Sequence, residues 1–473
     1  MPDTLTAPTR YLTGDQARRA ADLVRLLARR CADPDEVAAV AADPANRHPG
    51  YGTAPWDPAS LAYGWPGTAV LYGQLARYDP QWTRVAHHHL TAAARALSTR
   101  AGTRGVWNGL SAVAFAAETC AVRDGDYRKL RGQLISRVAS GQLRAPAATP
   151  SGPGVLWETY DVISGPAGTG RLLLDAVDDH STAQIDEAVV VQARQALTEM
   201  LNRLVRITEP VEVDGERVPG WWVRPELQPD AERTSHPRGH FNFGLAHGVA
   251  GPLALLALAT ERGHIVPGQI EAMNTIARWL CRWARTDEAG PYWTTLIGWD
   301  EEIDPGRPRV TMARSAWCYG APGIAVALHR AGAVLGEAKL RDLAVRALHA
   351  VIDRAERDWR LTGPGMCHGY GGLLNIFTRI AEAEDDPVLR AGALRVASRV
   401  LDHADENAPF VFPDVVPEPN AGRGLVRVNT AGLLDGAAGA GCALLSVIPP
   451  TLLAPGGQVR PAGRPWDRVF LLG

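Results

Sequence analysis

The sequence predicts an all-α protein: an α/α toroid, that is, a double ring of about seven inner and seven outer helices. Three observations lead there. A Gly-x-x-small step followed by an apolar run recurs at Gly64, Gly109, Gly165, Gly248, Gly320, Gly369 and Gly436, too often for chance. Between the steps lie segments of another character, charged on one face and apolar on the other: roughly 82–99, 127–141, 184–207, 267–285, 336–358 and 386–404, with 15–31 ahead of the first. A helix that is apolar or small on all sides is buried, while one with a polar face borders water, so the glycine- and alanine-rich set belongs inside and the amphipathic set outside.

Residues 1–14 carry Pro2, Pro8 and Gly14 with little periodicity and read as a loose terminus. Asp15 to Cys31 then places Ala17, Ala20, Ala21, Leu23, Val24, Leu26 and Leu27 around one face, the pattern of an amphipathic helix. A loop rich in proline, glycine and aromatics over 43–59 leads to the first step, Tyr63-Gly64-Trp65-Pro66-Gly67. Glycine at these starts permits tight entry turns and close backbone approach. The residues just before each first glycine, Tyr63, Asn108, Ser164, His247, Tyr319, His368 and Asp435, are then expected to face one cavity.

Two segments interrupt the spacing. Residues 208–243 hold Asp214-Gly215 between short β-like runs, followed by Trp221-Trp222, and suggest a hairpin; residues 286–313 are similar in kind. Both are expected as rim insertions on a single domain spanning 1–473, with plain surface loops the alternative.

Composition narrows the class of function. The 473-residue chain is 21% charged and 46% hydrophobic, with a formal net charge of −2, so nothing marks it for nucleic acid or an anionic membrane. Residues 1–31 lack an apolar signal core, and the longest near-continuous apolar run, Pro252 to Ala259, cannot span a hydrocarbon layer of roughly 30 Å. A soluble, cytoplasmic protein without a transmembrane segment is expected. The six cysteines lie far apart in a long chain, which suits free thiols or metal ligands better than a disulfide framework.

Two of those cysteines occupy equivalent places, since Cys318 and Cys367 each stand two residues before a repeated glycine, and His368 adjoins the second. A thiolate at a helix start is favoured by unpaired backbone N–H groups. Two sulfurs and one imidazole nitrogen are the ligand set of a zinc ion with a fourth position left open for catalysis. The remaining cysteines, Cys31, Cys120, Cys281 and Cys442, read as small core residues. The run His87-His88-His89 reads as a solvated helix face, and Trp221-Trp222 either grips a peptide or packs under the hairpin.

At this point the motifs resemble a known family. Leu245-Ala246-His247-Gly248-Val249-Ala250-Gly251-Pro252, Arg314 through Gly323, and Cys367-His368-Gly369-Tyr370-Gly371-Gly372 are similar, in this order, to three central motifs of the lanthionine synthetase cyclases and their LanC-like relatives. Tyr160 through Gly165 resembles a fourth motif, and Trp466 through Leu472 the family's ending. The resemblance implies an α/α toroid with one zinc ion held by Cys318, Cys367 and His368, and with His247, Asp161 and Arg314 lining the same site. It further implies (methyl)lanthionine formation: a zinc-activated peptide cysteine adds to dehydroalanine or dehydrobutyrine, and the resulting enolate is protonated at Cα. His247 is placed as general acid or base, with Asp161 to orient or charge it, unless that aspartate is simply a helix cap. Arg314 either stabilises the enolate oxygen or anchors its loop. Tyr319 and Tyr370 are candidate substrate contacts, with buried packing the alternative.

The implied substrate is a dehydrated precursor peptide. No Gly-x-x-x-x-Gly-Lys-Ser/Thr is present, so dehydration falls to a separate dehydratase, and an export transporter is a further expected partner, with peripheral membrane location through such a complex as the alternative to a freely cytoplasmic enzyme. Two other classes compete. A non-catalytic relative could hold a thiol or peptide on the zinc as a scaffold. A toroidal glycosidase or lyase would need paired carboxylates at inner helix starts, where only Asp161 and Asp435 stand.

Overall fold

A computed structural model describes residues 11–473 apart from 98–104, 122, 124, 145–151, 179–184, 229, 305, 307–310, 419–423, 455, 458 and 461–463. Every one of the seven repeated glycines stands at or just before a helix start. The helices that follow are Trp65–Leu75, Gly109–Cys120, Pro166–Val177, Ala250–Glu261, Ala321–Leu335, Tyr370–Glu384 and Ala437–Leu445. The seven amphipathic helices are Gly14–Arg30, Trp82–Ala96, Arg128–Arg144, Glu187–Arg206, Gln269–Trp283, Ala338–Asp353 and Pro387–Asp402. The expected alternation is therefore present.

Burial follows the patterning. All positions from Ala250 to Ala259 are buried, including Leu253, Leu255, Leu256 and Leu258. At about 1.5–3 kcal/mol for each fully buried leucine, these four stabilise the fold by roughly 6–12 kcal/mol as an upper estimate. In the amphipathic helix Gln269–Trp283, Ala272, Met273, Ile276, Ala277 and Leu280 are buried on one side while Glu271 carries charge in the first turn. His89 corrects the reading of the triple histidine. His87 and His88 are exposed, but His89 is fully buried. Its Nδ1 lies 2.8 Å from Thr68 Oγ1 and its Nε2 2.9 Å from the Cys31 carbonyl oxygen. Consecutive positions on a helix point about 100° apart, so three in a row cannot share one face.

The helices group into two compact units: residues 1–101, 115–126 and 360–466, and residues 102–114, 127–359 and 467–473. In the first, Trp65–Leu75 packs on Trp82–Ala96, Tyr370–Glu384 on Pro387–Asp402, and Ala437–Leu445 on both Gly14–Arg30 and Trp65–Leu75. In the second, Pro166–Val177 packs on Glu187–Arg206, and Ala250–Glu261 lies against both Gln269–Trp283 and Ala321–Leu335, which carries Ala338–Asp353.

In five of the seven steps a second glycine explains the spacing. A Cβ added at Gly67, Gly168, Gly251, Gly323 or Gly439 would lie 2.3, 2.0, 2.7, 2.2 or 2.1 Å from the carbonyl oxygen of the residue six positions earlier. These five entry turns fold back so tightly that the first turn of the helix rests on that carbonyl, and a Cβ does not fit at the second glycine.

Short strands supply the rest. Val211–Val213 pairs antiparallel with Glu216–Val218 around Asp214-Gly215, whose φ values of 54° and 80° are those of a tight hairpin turn, as the sequence predicts. The next segment closes on a distant one, since His240–Asn242 pairs with Leu296–Gly298. Trp221 and Trp222 are both buried, at 1% and 6% exposure, which removes the peptide-gripping alternative. Among the elements not expected from sequence are the helix Pro34–Ala41, capped by Asp33 onto the backbone N–H groups of Asp35 and Glu36, and the hairpin Asp414–Pro417 with Leu425–Val428. Among the described residues, no helix is long and apolar enough to cross a membrane.

Candidate functional site

The turns ahead of the buried helices are bonded to one another. In the second unit Val162 N–H donates to the Ala246 carbonyl at 3.0 Å, and Ala246 N–H donates to the Cys318 carbonyl at 3.3 Å. This backbone relay joins the Asp161, His247 and Cys318 turns. In the first unit Leu433 N–H donates to the Leu61 carbonyl at 2.8 Å, while Met366 and Cys367 N–H both donate to the Leu434 carbonyl, at 2.7 and 2.9 Å. The Tyr63, Cys367 and Asp435 turns are joined in the same way.

His247 and Asp161 meet. His247 Nδ1 lies 2.6 Å from Asp161 Oδ2, and Ser164 N–H donates to Asp161 Oδ1 at 2.8 Å. Asp161 is fully buried, whereas the His247 side chain remains 31% exposed, so the imidazole is the open end of the pair. Burial pushes the Asp161 carboxyl above the ordinary carboxylate range, opposed by hydrogen bonds from His247 and from the Ser164 and Gly165 N–H groups. Gly165 makes room for it, as a Cβ there would come within 2.5 Å of Asp161 N. Asp161 is not the cap of helix Pro166–Val177, whose N-cap is Gly165, although its carbonyl accepts from Ala167 N–H at 3.1 Å. Its side chain holds His247. Trp157, unnoticed in the sequence, sets its ring 5.4 Å from that of His247.

Cys318 is buried at 5% exposure in a turn closed by Gly320, whose φ of 92° and ψ of −169° suit only glycine. The adjacent Trp317 donates from Nε1 to the Phe470 carbonyl at 2.9 Å, and Trp107, Trp317 and Phe470 form an aromatic cluster. The Phe470 segment is held in turn by Arg468, fully buried, whose Nε donates to Asp175 Oδ2 at 2.7 Å. Tyr319 presses its ring on Gly244, where a Cβ would meet it at 2.5 Å. Arg314 is exposed. Tyr370 packs at a tilt against His403, with ring centroids 5.4 Å apart and planes 33° from parallel.

Cys367 and His368 are half-buried ahead of helix Tyr370–Glu384. Cys318, Cys367 and His368 each offer one ligand atom, and these atoms lie within 4.8 Å of one another. A four-coordinate zinc, with bonds of about 2.0–2.3 Å to nitrogen and sulfur, needs donors within that span, and two thiolates with one imidazole are donors that it takes. The residues fit the ion. His247 is not in this group. None of the six cysteines is in a disulfide, and burial pushes the Cys31 and Cys120 thiols up to about 12, which makes them inert core groups.

Buried glycine-headed helices, a histidine–aspartate pair and a cluster of two sulfurs and one nitrogen that could hold a metal ion define a helical protein with a candidate metal centre. The chain matches the model of the lanthionine synthetase C-like proteins over residues 55–455, and it belongs to that family. Among curated proteins, the nisin biosynthesis protein NisC of Lactococcus lactis subsp. lactis is 27% identical over 221 residues, 46% of this chain. The match spans about half of that relative, 48% of its length. Among solved structures, nisin cyclase overlays with a TM-score of 0.67 at 20% identity, covering 88% of this chain and 92% of that one. That likeness establishes the fold as an α/α toroid, as the repeat predicts. An inactive alpha-1,6-mannanase variant from Salegentibacter overlays with a TM-score of 0.39 at 13% identity, over 93% of this chain and all of that one, too slight a likeness to bear on function.

Proposed function

We propose that this chain is a zinc-dependent lanthipeptide cyclase that acts on a dehydrated precursor peptide as one LanC-like domain. The observation that carries the proposal is the grouping of Cys318, Cys367 and His368, whose ligand atoms lie within 4.8 Å. Zinc held by these three residues would lower the pKa of a substrate thiol to near neutrality. The net reaction moves one proton: the cysteine S–H bond is lost, a bond forms from sulfur to Cβ of the dehydro residue, and Cα gains hydrogen. The proposed task of the His247–Asp161 pair is that proton. With Nδ1–H donated to Asp161, the half-exposed Nε2 is the nitrogen that can take or give a proton. Arg314, with an exposed guanidinium, is proposed to meet the enolate oxygen, and Tyr319 to line the peptide's path. Tyr370, packed at a tilt against His403, is the weaker candidate for a substrate contact. A dehydratase upstream and an exporter downstream, in or at the edge of the cytoplasm, complete the proposed setting.

The test uses a synthetic peptide carrying one dehydroalanine and one cysteine. The zinc-loaded protein should close the thioether well above the no-enzyme rate, and Cys318→Ala and Cys367→Ala should lose both stoichiometric zinc and that excess. Variants that keep one zinc per chain would remove the metal assignment. A zinc-loaded wild type no faster than the blank would leave a thiol- or peptide-binding scaffold.

A further inference from the structure

One acidic side chain stands against His368 without any part in the chemistry above. Asp435 is 8% exposed, and its Oδ1 lies 3.5 Å from His368 Nδ1. Its other oxygen, Oδ2, accepts from the Tyr63 hydroxyl at 3.4 Å, and the Tyr51 hydroxyl lies 3.5 Å beyond. The backbone around the carboxylate is fixed on both sides. Asp435 precedes Gly436, the N-cap of helix Ala437–Leu445, and its neighbour Leu434 takes two N–H bonds from Met366 and Cys367. Gly365 packs on the Asp435 backbone so closely that a Cβ would come within 3.0 Å. The carboxylate and the imidazole are thus carried by two turns bonded to each other, so the backbone from which the two side chains meet is fixed.

We infer that Asp435 is a positioning residue for the metal centre, holding the His368 imidazole with Nδ1 toward the carboxylate so that Nε2 is the nitrogen presented to the ion. An imidazole has one donor and one acceptor nitrogen when neutral, and a carboxylate, which only accepts, selects the tautomer with hydrogen on its own side. The ring is then locked in rotation as well as protonation, and its ligating nitrogen becomes a better donor. Tyr63 holds the second oxygen and keeps the carboxylate turned toward the ring. His368 differs here from Cys318, which needs no tautomer and has only a buried turn behind it. The inference rests on the proposal that these residues bind zinc.

Chelator competition on the full chain separates the two. Wild type and Cys318→Ala come first: a wild type without stoichiometric zinc would end the metal proposal itself. With zinc established, Asp435→Asn, close in size and able to keep the fold, should weaken zinc binding by about 10- to 100-fold. The absorption bands of the cobalt-substituted protein should shift in the same variant, a change that a merely structural role would not produce. Tyr63→Phe leaves the carboxylate in place and should weaken binding less than Asp435→Asn does. Asp435→Asn within two-fold of wild type in zinc affinity, with unchanged cobalt bands, would overturn the inference while leaving the metal assignment standing. So would a larger loss in Tyr63→Phe than in Asp435→Asn.

Discussion

Replacing Asp161 by asparagine separates function from stability at one position. In the wild type, the buried carboxylate faces the half-exposed imidazole at 2.6 Å. Asparagine keeps the size and can still accept from Ser164 N–H, so what is lost is one charge-assisted hydrogen bond and control of the His247 tautomer. A hydrogen bond to a charged group is worth about 1.5–3 kcal/mol, and at 1.4 kcal/mol per factor of ten the thioether-forming rate should fall roughly 10- to 150-fold. The assay is mass-spectrometric ring closure of the dehydroalanine–cysteine peptide, with the blank rate subtracted and zinc content measured in each variant. Stability should move the other way. Burial raises the folded-state pKa of Asp161, so its stabilising contribution is present below the unfolded value and lost as pH rises through the folded one. At neutral pH the charge is therefore a net cost, and Asp161→Asn should melt no lower than wild type. If the two residues act as a pair, adding Asp161→Asn to His247→Ala should cost little beyond His247→Ala alone. A single variant within two-fold of the wild-type rate, or a double variant losing the product of both factors, would refute the pairing.

Two further predictions concern the scaffold. Gly320→Ala should destabilise the protein by about 3 kcal/mol or more in urea unfolding, because φ of 92° with ψ of −169° costs a non-glycine residue about 1–3 kcal/mol and a Cβ would also lie 1.9 Å from the Arg314 carbonyl oxygen; unfolding midpoints equal to wild type would contradict this. His89 is held at about 4 by burial, so its stabilising contribution is present above the unfolded value of 6.5 and lost as pH falls toward 4; the acid slope of stability in that window should flatten in His89→Gln, and identical slopes would show that another group titrates there.

The repeat made the helices readable because most steps carry their own geometric reason. Where a glycine is seated on a carbonyl six residues earlier, as in five of the seven steps, a Cβ has no room, so the spacing recurs with the turn. The hairpin at Asp214-Gly215 was equally plain, since both residues tolerate positive φ. The groupings of the candidate site were readable where chemistry is rare, at Cys318, Cys367 and His368, and through the family's motif at His247 and Asp161. What was not readable depended on contacts between distant turns. Nothing near Trp157 in sequence marks it as a neighbour of His247, and Asp435 had only its place in the repeat to suggest that it lies beside His368. The burial of His89 was hidden by its two exposed neighbours, and the pairing of His240–Asn242 with Leu296–Gly298 joins segments whose sequences carry no shared signal.

The segment from Asp467 to Gly473 belongs with residues 127–359, although residues 360–466 are made in between. At about 5–20 residues per second, a ribosome needs on the order of 5–20 s to cross that gap. Throughout it, Trp317 has no Phe470 carbonyl to bond and Asp175 lacks one of its arginines, so the turn holding Cys318 lacks its support. The nascent chain thus carries the thiol of the proposed metal site before the wall behind it exists. Damage to Arg468 or Phe470 would accordingly appear first as poor yield and oxidised or metal-free product, and only afterwards as a change in the rate of the molecules that do fold.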